Sequence, residues 1–166
     1  MRKLLSVLFV MSVVITFPIA FAEDWKGADD GAEFHLGALT GIGVVDSSGG
    51  FAILASGAKK IIRNGFVPDI NNSVLIEMEL GPMFVSKGTP FFYSTHLRWD
   101  FTKDSQWIFF AIGGVAGHIT GSGLGSRFLL FPRFGVGALW GVAETFLVRA
   151  ELSHELIAAG VLFPLY

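Results

Sequence analysis

Residues 89–120 decide the fold, and they read TPFFYSTHLRWDFTKDSQWIFFAIGGVAGHIT. The first part alternates with a period of two residues, which is typical of a β-strand between two different environments. One face is mainly aromatic and aliphatic and carries Phe91, Tyr93, Thr95, Leu97, Trp99 and Phe101. The other face is mainly polar and carries Phe92, Ser94, His96, Arg98 and Asp100. The pattern predicts a strand from Thr89 to Thr102 with two unlike faces.

A second strand is predicted after the polar turn at Thr102, Lys103 and Asp104. From Ser105 to Ser126 this segment has no Asp, Glu, Lys or Arg, and apolar residues occupy both of its faces. A soluble outer wall of that composition would expose a large apolar patch to water. In a chain of 166 residues, a β-barrel embedded in a membrane supplies hydrocarbon on one side and protein on the other.

The first 22 residues have the pattern of a secretory signal. Arg2 and Lys3 precede an apolar run, and Ala20-Phe21-Ala22 offers a cleavage site. We therefore divide the chain into a signal peptide (1–22), a flexible lead-in (23–32) and a barrel (33–166). The net charge of −2 gives no reason to expect nucleic acid as a partner. With no cysteine, the chain has no disulfide framework and no thiolate metal site.

Eight antiparallel strands are predicted, connected up and down into a closed transmembrane barrel. Their predicted bounds are Glu33–Val45, Gly50–Ile62, Ser73–Ser86, Thr89–Thr102, Ser105–Thr120, Arg127–Val142, Glu144–Leu152 and Leu156–Tyr166. Segments with turn chemistry separate them, such as Lys87-Gly88 and Gly121 to Ser126. An eight-stranded barrel has an interior that side chains can fill, so we expect no open pore.

Alternation alone also fits a soluble, lipocalin-like periplasmic carrier, in which the two faces would be reversed. The positions of the aromatic residues favour the membrane, because two aromatic girdles are typical of outer-membrane barrels. One predicted girdle lies at the periplasmic strand ends and contains Trp99, Phe101, Trp107, Trp140 and Tyr166. The other lies at the outer ends and contains Phe84, Phe91, Tyr93 and Phe128.

With Gly160 and Phe163 before a final Tyr166, the chain resembles the small eight-stranded outer-membrane barrels of the OmpX, OmpW and PagL kind. The resemblance spans Glu33 to Tyr166. It implies the outer membrane of a Gram-negative bacterium, contact with outer-membrane lipid and lipopolysaccharide, and insertion by the barrel assembly machinery. The PagL lipid A deacylases carry His-x-Ser on a late strand. Here Ser153 and His154 are adjacent and would point to opposite faces, so no catalytic residue is predicted.

Charged side chains are predicted to meet inside the barrel. A two-residue turn at Lys87-Gly88 would place Glu79 opposite His96, and Glu77 opposite Arg98. By alternation, eight charged or titratable residues point inward: Glu77, Glu79, His96, Arg98, Asp100, Arg133, Arg149 and Glu151. An unpaired buried charge is costly, so we expect a structural network of ion pairs. A catalytic or proton-relay site built on Glu79 and His96 is the alternative.

Nearer the outer end, the interior is predicted to be apolar. This upper lumen contains Met83, Val85, Phe92, Leu129 and Phe131, which form either a core or a pocket for one acyl chain. Because the remaining histidines fall in different layers, we expect no metal site and no cofactor. The sequence thus favours a structural or accessory envelope protein without enzymatic activity. The alternatives are a lipid-modifying enzyme that acts on acyl chains of lipid A, the soluble carrier, and a narrow channel.

Overall fold

In a computed structural model, the described residues (31–45, 47–67, 69–120 and 127–166) form eight β-strands. Their bounds are β1 Phe34–Val45, β2 Ser48–Ile62, β3 Asn72–Val85, β4 Phe91–Thr102, β5 Trp107–Thr120, β6 Arg127–Ala143, β7 Phe146–Ser153 and β8 Leu156–Leu165. The predicted signal peptide, residues 23–30 of the predicted lead-in and the predicted turn at 121–126 lie outside these ranges. Within them, no helix is long and apolar enough to cross a bilayer.

The strands form a closed antiparallel barrel in which each strand pairs with its neighbours in sequence and β1 pairs with β8. This confirms the predicted fold class, and no strand end differs from its prediction by more than two residues. The later start of β5 has a local cause. The Asp104 carboxylate accepts hydrogen bonds from the backbone N–H groups of Gln106 and Trp107, each at 2.8 Å. This turn keeps Ser105 and Gln106 out of the strand.

The predicted register between β3 and β4 was wrong by two residues. Glu77 lies opposite His96, and Glu79 lies opposite Ser94. The turn occupies Ser86 and Lys87 rather than Lys87 and Gly88, because Val85 and Gly88 exchange backbone hydrogen bonds of 3.0 and 3.1 Å. A shift of two residues leaves every side chain on its predicted face, since the side-chain period of a strand is two.

The two faces of the wall have opposite character. Leu97 points outward and is 44% exposed, whereas the neighbouring Arg98 points inward and is 0% exposed. Glu77 is equally buried, and Trp99 lies half-buried on the outward side. A soluble carrier requires the reverse arrangement, with the apolar face inside. The barrel is therefore a transmembrane barrel with an apolar exterior and a charged interior.

We call the end where β1 begins and β8 ends the lower end, and the opposite end the upper end. Near the lower end, Trp107 of β5 lies opposite Trp140 of β6, and the two rings stack at 6.1 Å. Near the upper end, the rings of Tyr93 and Phe128 stack at 5.5 Å. Aromatic side chains thus mark both ends of the wall, as the strand pattern predicted.

Asn72 fixes the connection between β2 and β3 at the lower end. Its side-chain amide donates to the carbonyls of Val67 and Ile70 at 2.7 and 2.8 Å. Its side-chain oxygen accepts from the backbone N–H of Phe66 and the indole N–H of Trp99 at 2.9 and 2.8 Å. Four hydrogen bonds from one side chain therefore hold this connection against the wall.

Replacing Asn72 with Ala should destabilise the barrel by about 1–3 kcal/mol, because four partly buried polar groups lose their partner. Urea unfolding in lipid vesicles measures the change, and proteolysis within residues 63–71 reports on the connection itself. The Asn72→Asp variant is the comparison, since it keeps the acceptor but replaces the amide donor with a charged oxygen that faces the carbonyls of Val67 and Ile70. An Asn72→Ala barrel as stable and as protease-resistant as the wild type would contradict this assignment.

Candidate functional site in the barrel lumen

The lumen is built in three layers along the barrel axis. Ionisable side chains form the middle layer, which we call the charge layer: Glu77, Glu79, His96, Arg98, Asp100, Arg133, Arg149 and Glu151. Above it lies the upper apolar cluster: Leu39, Val45, Ala52, Leu54, Met83, Phe92, Ala116, Leu156 and Ala158, with Val85 and Phe131 packed against it. Below it lies the lower apolar cluster: Ile108, Phe110, Ile112, Leu139 and Leu162, with Leu147 against it. Every residue predicted for the network occurs in the charge layer.

Arg149 lies at the centre of the charge layer and is fully buried. From β7 it forms ion pairs with Glu77 and Glu79 on β3, the latter at 2.9 Å, and with Glu151 on its own strand. One guanidinium group thus links three carboxylates on two strands that are not neighbours in the sheet. The contacts to β3 cross the lumen and tie its two sides together.

Arg133 of β6 is the second bridging cation. Its Nη2 donates to Glu79 at 2.8 Å and to Glu151 at 2.5 Å. Its Nη1 lies 2.9 Å from the carboxylate of Glu155, in the β7–β8 turn. The guanidinium also lies over the Phe92 ring, 5.3 Å from its centroid. Arg133 therefore connects the charge layer to the upper apolar cluster.

Arg98 and Asp100 form a separate pair on β4. The guanidinium makes two hydrogen bonds to the Asp100 carboxylate, at 2.8 and 2.9 Å, which is the strong two-point geometry. A weaker contact of 3.5 Å reaches Glu77, and His35 of β1 lies 3.3 Å from Nη2. Because the strong bonds go to Asp100, this pair is close to neutral by itself.

His96 lies beside the two glutamates of β3. Its Nε2 is 3.3 Å from Glu77 and 4.0 Å from Glu79. Its Nδ1 is 3.4 Å from the hydroxyl of Ser94, and Ser56 donates to Glu77 at 2.6 Å. An imidazole between two carboxylates can exchange a proton with either of them. Both apolar clusters separate this group from the barrel ends.

Glu77, Glu79 and His96 lie close enough together to share a metal ion. Both carboxylates, however, already accept hydrogen bonds from guanidinium groups: Arg149 donates to both, and Arg133 donates to Glu79. Those cations supply the positive charge that a metal ion would bring, so we assign no metal to this group.

Two glycines make room for the charge layer. A Cβ atom on Gly114 would lie 2.6 Å from the Cβ of His96, and one on Gly137 would lie 2.2 Å from the ring of Phe110. Phe110 in turn lies under the guanidinium groups of Arg98 and Arg149, at 5.7 and 4.9 Å. A larger residue at either position would displace a side chain that holds the layer.

Leu129 and Phe131, two residues of the predicted upper lumen, line a small pocket at the upper end. The pocket has a volume of about 290 Å³. Its lining consists of Val44, Val45, His118, Leu129, Phe131, His154 and Glu155. The other residues predicted for this region, Met83, Val85 and Phe92, pack below it in the upper apolar cluster.

Ser153 and His154 point in different directions, as their adjacency in a strand predicts. Ser153 is buried and donates to the carbonyl of Leu156 at 3.0 Å. His154 is exposed, and its Nδ1 lies 2.7 Å from Glu155. The two side chains therefore do not form a nucleophile and base pair.

Several partners of the charge layer were missed in the sequence. His35 and Ser56 contact charged groups but lie on strands where a single polar residue gives little signal. Ser94 was placed on the polar face of β4 but was not assigned to the network. Glu155 lies outside the predicted strands, in a turn, so alternation could not place it. The aromatic supports Phe92 and Phe110 were read only as apolar positions. Strand alternation thus identified the charged members and omitted the groups that complete their contacts.

No family model and no curated protein matches the chain. Among solved structures, it is similar in fold to Ail, the attachment invasion locus protein of Yersinia pestis. The crystal structure of Ail with the heparin analogue sucrose octasulfate gives a TM-score of 0.46 at 8% identity, covering 78% of this chain and 92% of Ail. The backbone structure of Ail in a phospholipid bilayer nanodisc gives 0.48 at 13% identity, covering 80% and 98%. No functional conclusion follows from similarity at this level.

Proposed function

We propose that this protein is a structural or accessory barrel of the outer membrane of a Gram-negative bacterium, with a lumen closed by its ion-pair network. The observation that carries the proposal is the set of contacts that Arg149 makes from β7 to Glu77 and Glu79 on β3. Side chains that bridge the lumen brace the wall and occupy the space that an open pore would need. The apolar clusters above and below the charge layer support the same conclusion.

The exterior supports contact with membrane lipid and lipopolysaccharide. Large apolar side chains such as Leu97, Val136 and Phe134 point away from the lumen, and aromatic rings lie near both ends of the strands. The spacing of Gly160, Phe163 and Tyr166 in and after β8 resembles the signal read by the barrel assembly machinery, which is the assembly partner we propose.

Membrane fractionation and conductance measurements test this proposal. We expect the protein in the outer-membrane fraction and, in planar bilayers, no stepwise conductance at neutral pH, because the charge layer fills the lumen. The Arg149→Ala/Arg133→Ala double variant is the comparison, since it removes the two bridging cations. Stepwise conductance by the wild-type protein would contradict the closed lumen.

A lipid-modifying enzyme remains a second candidate, supported by the pocket at the upper end and by the pair formed by His154 and Glu155. The accessory role is the better supported of the two, because Ser153 is bonded to a backbone carbonyl and points away from His154. Mass spectrometry of lipid A from cells with and without the protein separates them. A changed acylation pattern would favour the enzyme.

A further inference from the structure

The central part of the charge layer contains more carboxylates than cations. Glu77, Glu79 and Glu151 all contact Arg149, and two of them also contact Arg133. Arg98 does not offset the third carboxylate, because its two strong hydrogen bonds go to Asp100. Fully ionised, with a neutral imidazole, this group would carry one uncompensated negative charge.

His96 lies beside two of these carboxylates, where a further positive charge would offset the negative charge of the group. Its Nε2 lies 3.3 Å from Glu77 and 4.0 Å from Glu79. A proton on this imidazole, or on the Glu79 carboxyl, restores neutrality. An uncompensated charge is costly in the charge layer, because the apolar clusters above and below keep it away from water and mobile ions.

We propose that Glu77, Glu79 and His96 form a buried proton-binding site that holds one proton at neutral pH. The proton is shared between the His96 imidazole and the Glu79 carboxyl, and it balances the charge of the three glutamates and two guanidinium groups. The inference depends on the ion-pair geometry and not on the role of the barrel in the envelope. Its failure would therefore leave the proposed function standing.

The groups on the surrounding strands are consistent with this assignment. From β1, His35 contacts Arg98, and from β2, Ser56 donates to Glu77. Lys60 of β2 is also buried, but it lies level with Leu75, two residues nearer the lower end than Glu77.

On β5, Gly114 lies opposite His96, and on β8, Ala158 lies opposite Glu151. Glu155 lies on the upper side of Arg133 and adds negative rather than positive charge.

The pH dependence of unfolding follows from this site. A folded state that keeps a proton which the unfolded chain has released loses stability as pH rises. The unfolded chain releases such protons above about pH 4–7. For one proton, the thermal midpoint of the wild-type barrel should fall by roughly 3–5 °C per pH unit until the site empties. Measurement between about pH 5 and about pH 9 covers this range.

The Glu79→Gln variant tests the site, with Glu33→Gln as the matched control. Glu79→Gln removes the surplus carboxylate, so we expect its midpoint to stay nearly constant over this range. Glu33→Gln removes a carboxylate that pairs with the exposed Arg63, outside the charge layer, and should keep the wild-type slope. The proposal is overturned if Glu79→Gln keeps that slope, or if the wild type shows none. Failure of Glu79→Gln to fold would also overturn it, because a neutral amide carries the charge of a protonated carboxyl.

A compensation experiment gives a second, independent readout. His96→Gln alone removes one of the two groups that carry the proton. At about pH 9 we expect the thermal midpoint of this variant to lie below that of the wild type. Adding Glu79→Gln to His96→Gln should restore the midpoint, because the remaining carboxylates match the two guanidinium groups. If the effects of His96→Gln and Glu79→Gln on the thermal midpoint simply add, the shared proton is contradicted.

Discussion

Replacing Arg149 with Met should destabilise the folded barrel by about 3–5 kcal/mol, because the change leaves buried carboxylates without their common cation. Glu77, Glu79 and Glu151 all depend on this guanidinium, and Arg133 contacts only two of them. Urea unfolding in lipid vesicles measures the loss, and heat-modifiable mobility on a gel should show it at a lower temperature.

The control for this substitution is Arg63→Met. Arg63 pairs with Glu33 near the lower end, but its side chain is 70% exposed. Exposed ion pairs contribute about 0–1 kcal/mol, so the same chemical change should have little effect there. If both variants lost the same small amount, the charge layer would not brace the barrel.

Replacing Leu97 with Lys should destabilise the barrel in a bilayer by about 2–4 kcal/mol, the cost of a cation on the lipid-facing side near the membrane midplane. Leu97 lies in the middle of β4, and its partner Ile76 on β3 also faces outward. Unfolding from lipid vesicles measures the change. In detergent, where a charged side chain reaches water more easily, we expect a smaller effect.

Leu165→Lys is the matched control, because Leu165 is also 44% exposed but is the last residue of β8. Near the interface the cost of a cation falls to about 0–1 kcal/mol. Equal and small effects at both positions would show that the middle of the wall is in contact with water.

Strand alternation in the sequence predicted the wall well and the contacts across the lumen less well. The faces of β4 were correct because each residue there reports its environment directly through its polarity. The β3–β4 register depended on placing the two-residue turn at Lys87-Gly88, whereas the turn lies one residue earlier, at Ser86-Lys87. That choice placed Glu79 opposite His96, whereas Glu77 lies there.

The contacts in the charge layer follow from barrel closure, which a one-dimensional pattern does not contain. Arg149 reaches Glu77 across the lumen although 72 residues separate them. Glu155 contacts Arg133 of β6 although it lies in the β7–β8 turn. Alternation shows which residues point inward. It does not show at which height each strand presents them, and that height decides which charges meet.

Site-directed spin labelling tests most directly whether lipid surrounds the outward face, and the absence of cysteine in the chain makes single labelled sites simple to prepare. A nitroxide at Leu97→Cys, in vesicles, should collide readily with dissolved oxygen and rarely with a water-soluble paramagnetic reagent. A nitroxide at Ser94→Cys, on the buried inward face, should collide rarely with both. Free access of the water-soluble reagent to the label at position 97 would contradict a membrane-embedded barrel.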